Sequence, residues 1–402
     1  MRLPTYETTC LTRFNLQRTG SIIAIHYVET RLGSFPMRKP VAVLMLRHRM
    51  FDVLRSGFLS VVAGRRRVLL MGALGTLLDA RSSLAAVEPS RQPLRVTVAL
   101  VARQSLYQLP LTLAEQLGYF KQAGLTVEWQ SHEAGAKAVN SALQGQADVV
   151  SGAFEHLFGL HGKGLNYQAF VLLGRTPQVS FGVAAHKDLR SVMALKGGRV
   201  GVSALDSSTH WMACQWLLQN GLLPEDVTFV EVGSSWGAVE SLRSGAIDAL
   251  CNPDPVMHGL EQRNEIRLLG EARTLMSTRK VMGGAVPGAC LFAKADFLQK
   301  QPAVAQALAD GVVHALKWLQ TAGPTDLLKA VPSHHWMGDR ALYLGAFEKL
   351  RESYAMDGLI PHEAVFNAWR AHSRLPGLVH AIRFPQVYTN VFATKAKGKF
   401  AA

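Results

Sequence analysis

From residue 94 onward the chain alternates short apolar runs with stretches whose apolar positions recur every three or four residues, the pattern of strands followed by amphipathic helices. LRVTVAL (94–100) predicts a strand before the helix LPLTLAEQLGYFKQAG, and GRVGVSAL (198–205) predicts another before THWMACQWLLQNG. A repeat follows each. LTVEWQSHEAGAKAVNSALQGQADVV (125–150) and DVTFVEVGSSWGAVESLRSGAIDALC (226–251) match at an offset of 100, with Val127 over Val227, Ala138 over Ala238, Ser141 over Ser241, Gly145 over Gly245 and Asp148 over Asp248. Each copy predicts strand, helix, turn and strand, with the glycine where a left-handed helix end is expected. Alternation of this kind implies parallel sheets with right-handed crossovers. Two α/β lobes are therefore expected, the first beginning at 94–180, the second at 186–286, and 287–385 returning to the first. QAFVLLG and SFGVAAH are expected to carry the chain between lobes, and PGACLFAKADFLQKQP (287–302) to return as strand and helix. ALKWLQTAG, RALYLGAFEKLRES and AVFNAWRAH read as helices on the first lobe, and the basic tail 386–402 as loose.

Charge changes the picture only at the amino end. The chain has 402 residues and a net charge of +14, but residues 1–90 carry +8 of it, leaving +6 spread over the other 312. A small excess on a large body is a solvated surface, so no nucleic-acid partner is expected. The head contains GRRRVLLMGALGTLLDARSSLAAVEPS, where Arg65 and Arg66 precede an apolar run ending at Leu78. The segment resembles a twin-arginine export signal. Its run of about 11 residues is shorter than the roughly 20 that span a bilayer, and Ser83 and Ala85 stand at the small-residue spacing of a cleavage site. A surface helix with a basic end is the alternative. Residues 1–86 are thus expected to be an extended head and signal, with Met50 a candidate initiator. Removal of the head would leave Cys214, Cys251 and Cys290, an odd number without CxxC spacing, so neither metal nor cofactor is expected.

The chain resembles the periplasmic solute-binding proteins of ABC importers for sulfonates, taurine and nitrate, a superfamily that includes thiamine-precursor binders. The resemblance covers about residues 94–375. It rests on LAEQLGYFKQAGLTVEW, ALQGQADVVSGAF, LKGGRVGVSALDSSTHWMACQWLLQNGLLPEDVTFVEVG, LRSGAIDALCNPDP and YAMDGLIPHEAV. It implies a type II periplasmic binding protein-like α/β fold, two lobes joined by two crossing strands, with a small anionic or polar ligand in the cleft. It further implies an exported monomer that serves a membrane permease and ATPase and catalyses nothing. The alternatives are a thiamine-pyrimidine-precursor binder or an enzyme on the same fold, and the binding subunit of a sensor.

Open α/β sheets bind ligands beyond the carboxyl ends of their strands, which selects the candidate residues. In the first lobe they are Ser105 and Tyr107 after the first strand, and Ser151 and Gly152 in SGAFEH. In the second they are Ser207, Ser208 and Thr209 in DSSTH, and Asn252 and Asp254 in NPDP. Each has a structural alternative: a helix cap for the Ser-Ser-Thr run, a turn for Ser151, Asn252 and Asp254, and a core ring for Tyr107. Arg103 and Arg175 are candidate counter-charges, and MGGAVPGA (282–289) a candidate for close backbone approach. Signals for catalysis are poor. There is no HExxH or GxxxxGK[ST], and Ser208 and His210, two apart on a helix, diverge.

Overall fold

The computed structural model describes residues 94–375 and 384–400; the head and its expected export signal lie outside them. In chain order the strands are β1 (Leu94–Val101), β2 (Leu125–His132), β3 (Val149–Ala153), β4 (Tyr167–Leu172), β5 (Val179–Ala184), β6 (Arg199–Val202), β7 (Thr228–Glu231), β8 (Ala249–Pro253), β9 (Ile266–Ala272) and β10 (Ala289–Lys294). They form two five-stranded sheets of order β2-β1-β3-β10-β4 and β7-β6-β8-β5-β9. The sheets correspond strand by strand, and the chain exchanges one strand each way: β5 enters the second sheet where β10 returns to the first.

The sheets are mixed rather than purely parallel. β1 runs parallel to β2 and β3, and β6 to β7 and β8, but β10 and β5 are antiparallel to both of their neighbours. The parallel strands end at the cleft, whereas a strand arriving from the other lobe starts there and must run the opposite way.

The repeat has a local physical cause. Asp148 Oδ2 accepts the Thr97 N–H of β1 at 2.9 Å, and Asp248 Oδ2 accepts the Arg199 N–H of β6 at 2.7 Å. Each aspartate thus ties the strand that it begins to the first strand of its lobe. Gly145 and Gly245 have φ of 76° and 73°, where an L side chain would be strained. They end helices Gly135–Leu143 and Trp236–Arg243, which bury Ala138, Val139 and Ala142, and Ala238, Val239 and Leu242.

β3 and β5 are buried along their whole lengths, as expected for strands covered by helices on both faces. Phe181 of β5 stacks on Trp216 of helix Ser208–Gln219, centroids 5.7 Å apart. Burying a ring of that size is worth roughly 1.5–3 kcal/mol. Where the crossing segments meet, Gly288 donates its N–H to Gly174 at 2.8 Å, and a Cβ on Gly288 would fall 1.9 Å from the Thr176 carbonyl oxygen. Glycine is required by that approach.

Helix Pro302–Thr321 covers the first lobe, its proline at the first turn where no N–H is needed. The tail expected to be loose instead forms helix Val391–Lys399, which buries Phe392, Ala393 and Ala396 against helix Pro302–Thr321. Lys399 pairs with Asp310 at 2.7 Å and Lys397 with Asp357 at 2.8 Å. Its lysines find carboxylates, and its apolar residues recur on one face. No helix among the described residues is long and apolar enough to cross a membrane.

Candidate functional site

The cleft begins where β6 ends. From Val202 the chain turns through Asp206, whose φ is 58°, into helix Ser208–Gln219. Ser207 occupies the cap position, but its hydroxyl turns back and donates to the Ala204 carbonyl at 2.6 Å. Ser203 Oγ donates to Ser207 Oγ at 2.9 Å, and Thr209 Oγ1 accepts the Ser203 N–H at 2.8 Å. Three hydroxyls therefore lock the turn. No side chain caps the first N–H groups of the helix, which point outward with the positive end of the helix dipole. Ser234 after β7 and Pro253 of β8 complete this wall.

Lobe 1 supplies the facing wall from the same three strand ends. Ala102, Ser105 and Tyr107 follow β1, Gly135 opens the helix after β2, and Gly152 and Ala153 end β3. His156 follows at the start of helix His156–Gly162. The lobes touch: Ser105 Oγ donates to the Asp254 carbonyl at 3.2 Å, and the His156 ring packs edge-on against Trp211, centroids 4.8 Å apart. Between the walls lies a small cavity that opens to solvent. A second hollow adjoins it, sharing Ser105 and Ser234 and edged by Trp236, His334 and Met337.

Electrostatically the cavity is neutral, since none of its lining residues carries a cationic or anionic side chain apart from the titratable His156. Burial, reinforced by His372, pushes the His156 imidazole down to about 3 and keeps it uncharged. Burial likewise lifts the neighbouring Glu155 carboxyl to about 7.

Six of the nine candidate residues come together on the cavity: Ser105, Tyr107, Gly152, Ser207, Ser208 and Thr209. Three do not. Ser151 Oγ donates to Gln108 Oε1 at 2.6 Å, and Asn252 Nδ2 donates to the Gly233 carbonyl at 3.0 Å. Asp254 is fully buried against Arg273, 2.9 Å away, and accepts the His258 N–H. Alternation along a strand explains the first two, since Ser151 and Asn252 hold their own neighbours instead of facing the cavity. Asp254 is held by Arg273, the one buried arginine among the described residues. Arg103 pairs with Glu115 and lies over Trp129, and Arg175 donates to the Glu352 carbonyl, so neither is a counter-charge for the cavity. His335 is buried and pushed down to about 4, first by burial. The sequence reasoning missed Ser203, Gly135, His156 and Ser234. Ser234 stands 100 residues after Ala134, so the repeat itself contained the signal.

The NMT1/THI5-like family model matches residues 105–322. A solved protein of Bordetella bronchiseptica RB50 is 38% identical, with 77% of this chain and 98% of that one aligned at a TM-score of 0.73. The chain belongs to the NMT1/THI5-like family. More distant structures share its fold. The alkanesulfonate-binding protein SsuA from Xanthomonas axonopodis pv. citri, bound to MOPS, aligns over 74% of this chain and 99% of its own at 17% identity and a TM-score of 0.58. The desulfurization enzyme DSZB aligns over 76% and 99% at 17% identity and 0.54. A comparison with curated proteins returns no significant match. A shared fold does not fix the chemistry of the cleft, which its own side chains decide.

Proposed function

We propose that this NMT1/THI5-like chain is an exported, periplasmic solute-binding protein that captures a small organic or inorganic anion and delivers it to a membrane permease and ATPase. One observation carries the reading: the uncapped first turn of helix Ser208–Gln219 opens into a neutral cavity in the cleft, lined by Ser207, Ser208 and Thr209. An oxyanion fits such a turn, because its N–H groups and dipole favour negative charge without a cationic side chain. Sulfonates, taurine and nitrate are the ligand classes that the family resemblance brings forward. The protein acts as a monomer, and its lobes close about the crossing segments, with ligand contacts to both walls favouring the closed state.

The rival is an enzyme on the same fold. Acyl- or sulfur-transfer chemistry would need an activated nucleophile, and His156 Nε2 has no hydrogen-bond partner, so it activates no serine. His210 Nδ1 accepts the Asp206 N–H instead of approaching Ser208.

A thermal-unfolding panel of taurine, pentane-1-sulfonate and nitrate tests the reading. A ligand present at 100 times its dissociation constant adds about 2.7 kcal/mol of stability. Unfolding unmoved by every anion of the panel, or recovery of a chemically altered probe after incubation, would overturn it.

A further inference from the structure

Lobe 1 faces the cavity with polar atoms of a different kind. Tyr107 Oη and His156 Nε2 belong to residues only 6% and 5% exposed, both residues line the cavity, and neither atom has a hydrogen-bond partner among the described residues. Buried polar atoms are almost always paired, so two orphans on one wall mark bonds that an occupant completes. The wall is also closely fitted. A Cβ on Gly135 would stand 2.7 Å from His156 Nε2, so only glycine lets the helix start lie against the imidazole edge. Gly135 begins a nine-residue helix whose cap residue, Ala134, makes no side-chain cap bond. The imidazole also packs edge-on against Trp211.

We propose that Tyr107 Oη, His156 Nε2 and the open helix start at Gly135 form a second subsite, which takes an uncharged hydrogen-bonding group of the same ligand whose acidic group lies at Ser207–Thr209. The proposal rests on the anion reading given above and narrows it to two-ended organic acids bearing a carbonyl or amide. Charge decides the class. His156 is held neutral, its pKa pushed down to about 3 mainly by burial, so it offers no cation to a second acidic group. Glu155 is buried and does not line the cavity, so an ammonium group would exchange its water shell for a phenol and a neutral imidazole. A carbonyl oxygen accepts from the phenol O–H or from an imidazole N–H without a charge to desolvate.

Calorimetric titration with N-acetyltaurine, pentane-1-sulfonate and taurine tests this on the wild type and on Tyr107→Phe, His156→Phe and Gly135→Ala. N-acetyltaurine has the chain length of pentane-1-sulfonate but carries an amide. The expected result is at least tenfold tighter binding of N-acetyltaurine than of the other two. Tyr107→Phe, which keeps the ring and its packing, should shrink the preference over pentane-1-sulfonate at least fivefold, and Gly135→Ala should do the same by crowding Nε2. Equal binding of N-acetyltaurine and pentane-1-sulfonate, preference for taurine, or a ratio unchanged in Tyr107→Phe overturns the subsite while leaving the anion site standing. Absence of binding by all three overturns the subsite, and the anion site with it if nitrate also fails to bind.

Discussion

The two lobes share a strand order and a repeat at 100 residues, yet they fill their interiors with opposite chemistry. Phe154 is buried in lobe 1 where Asp254, paired with the buried Arg273, stands in lobe 2. The cleft walls differ in the same way. Lobe 2 contributes hydroxyls and helix N–H groups, and lobe 1 a tyrosine, a neutral histidine and glycines. A backbone plan can thus be duplicated while its side chains diverge, and a binding site is built from the divergence.

The largest effect is expected at the interior pair. Removing one member of a buried ion pair costs about 3–5 kcal/mol, because the other charge stays buried, whereas replacing both by apolar groups is often neutral. Arg273→Met should lose about that much in denaturant unfolding. Asp254→Phe with Arg273→Leu, which removes both charges and places at 254 the ring that lobe 1 carries at Phe154, should recover most of it, since Glu261 keeps Lys349 at 3.2 Å. A double variant as unstable as Arg273→Met would assign the loss to packing and not to an unpaired charge.

Next comes pH, which acts through lobe 1. Glu155, raised by burial to about 7, binds a proton in the folded state that the unfolded chain has released. Its contribution to stability therefore falls as pH rises from about 4.5 to 7, by on the order of 3 kcal/mol, and is flat above. His156, depressed by burial to about 3, acts on the other limb: the unfolded chain binds its proton first, so stability falls as pH drops from 6.5 toward 3. His258 and His335, each lowered to about 4 chiefly by burial, deepen that acid limb. Glu155→Gln should remove that falling contribution, so that stability in urea unfolding rises more steeply between pH 4.5 and 7 than in the wild type, with the limb below pH 4.5 unchanged. An unchanged slope in that range would show that Glu155 does not hold the proton.

Much of this plan was legible in the sequence, and the limits of that reading are physical. The repeat was legible because Asp148 and Asp248, and Gly145 and Gly245, perform backbone tasks that each lobe must solve separately and locally. The Ser-Ser-Thr turn was legible because a helix start at a strand end faces the cleft in any open sheet. Ser151, Asn252 and Asp254 were not, because the direction of a side chain at a strand end depends on register and on a partner elsewhere, Gln108, Gly233 and Arg273 respectively. His156 was invisible for a related reason: only the packed lobes bring Trp211 and Gly135 to its two sides. The tail helix was lost because its charge was counted while the carboxylates of Asp310 and Asp357, far away in sequence, were not.

The smallest stability effects sharpen the division of labour inside the lobe 2 wall. Thr209 Oγ1 accepts the buried Ser203 N–H at 2.8 Å, whereas the half-buried Ser208 hydroxyl carries none of the bonds that lock the turn. Thr209→Val should therefore orphan an amide and cost about 1–3 kcal/mol of stability. Ser208→Ala should leave stability within about 0.5 kcal/mol. Affinity is expected to separate them in the other direction. A hydroxyl bonded to an anion is worth about 1.5–3 kcal/mol, so Ser208→Ala should weaken binding of whichever panel anion stabilises the wild type by roughly ten- to a hundredfold. Unfolding and titration on both variants decide the matter. If Ser208→Ala binds as tightly as the wild type, the hydroxyl at the helix start does not touch the ligand, and lobe 2 would hold its anion through backbone N–H groups alone.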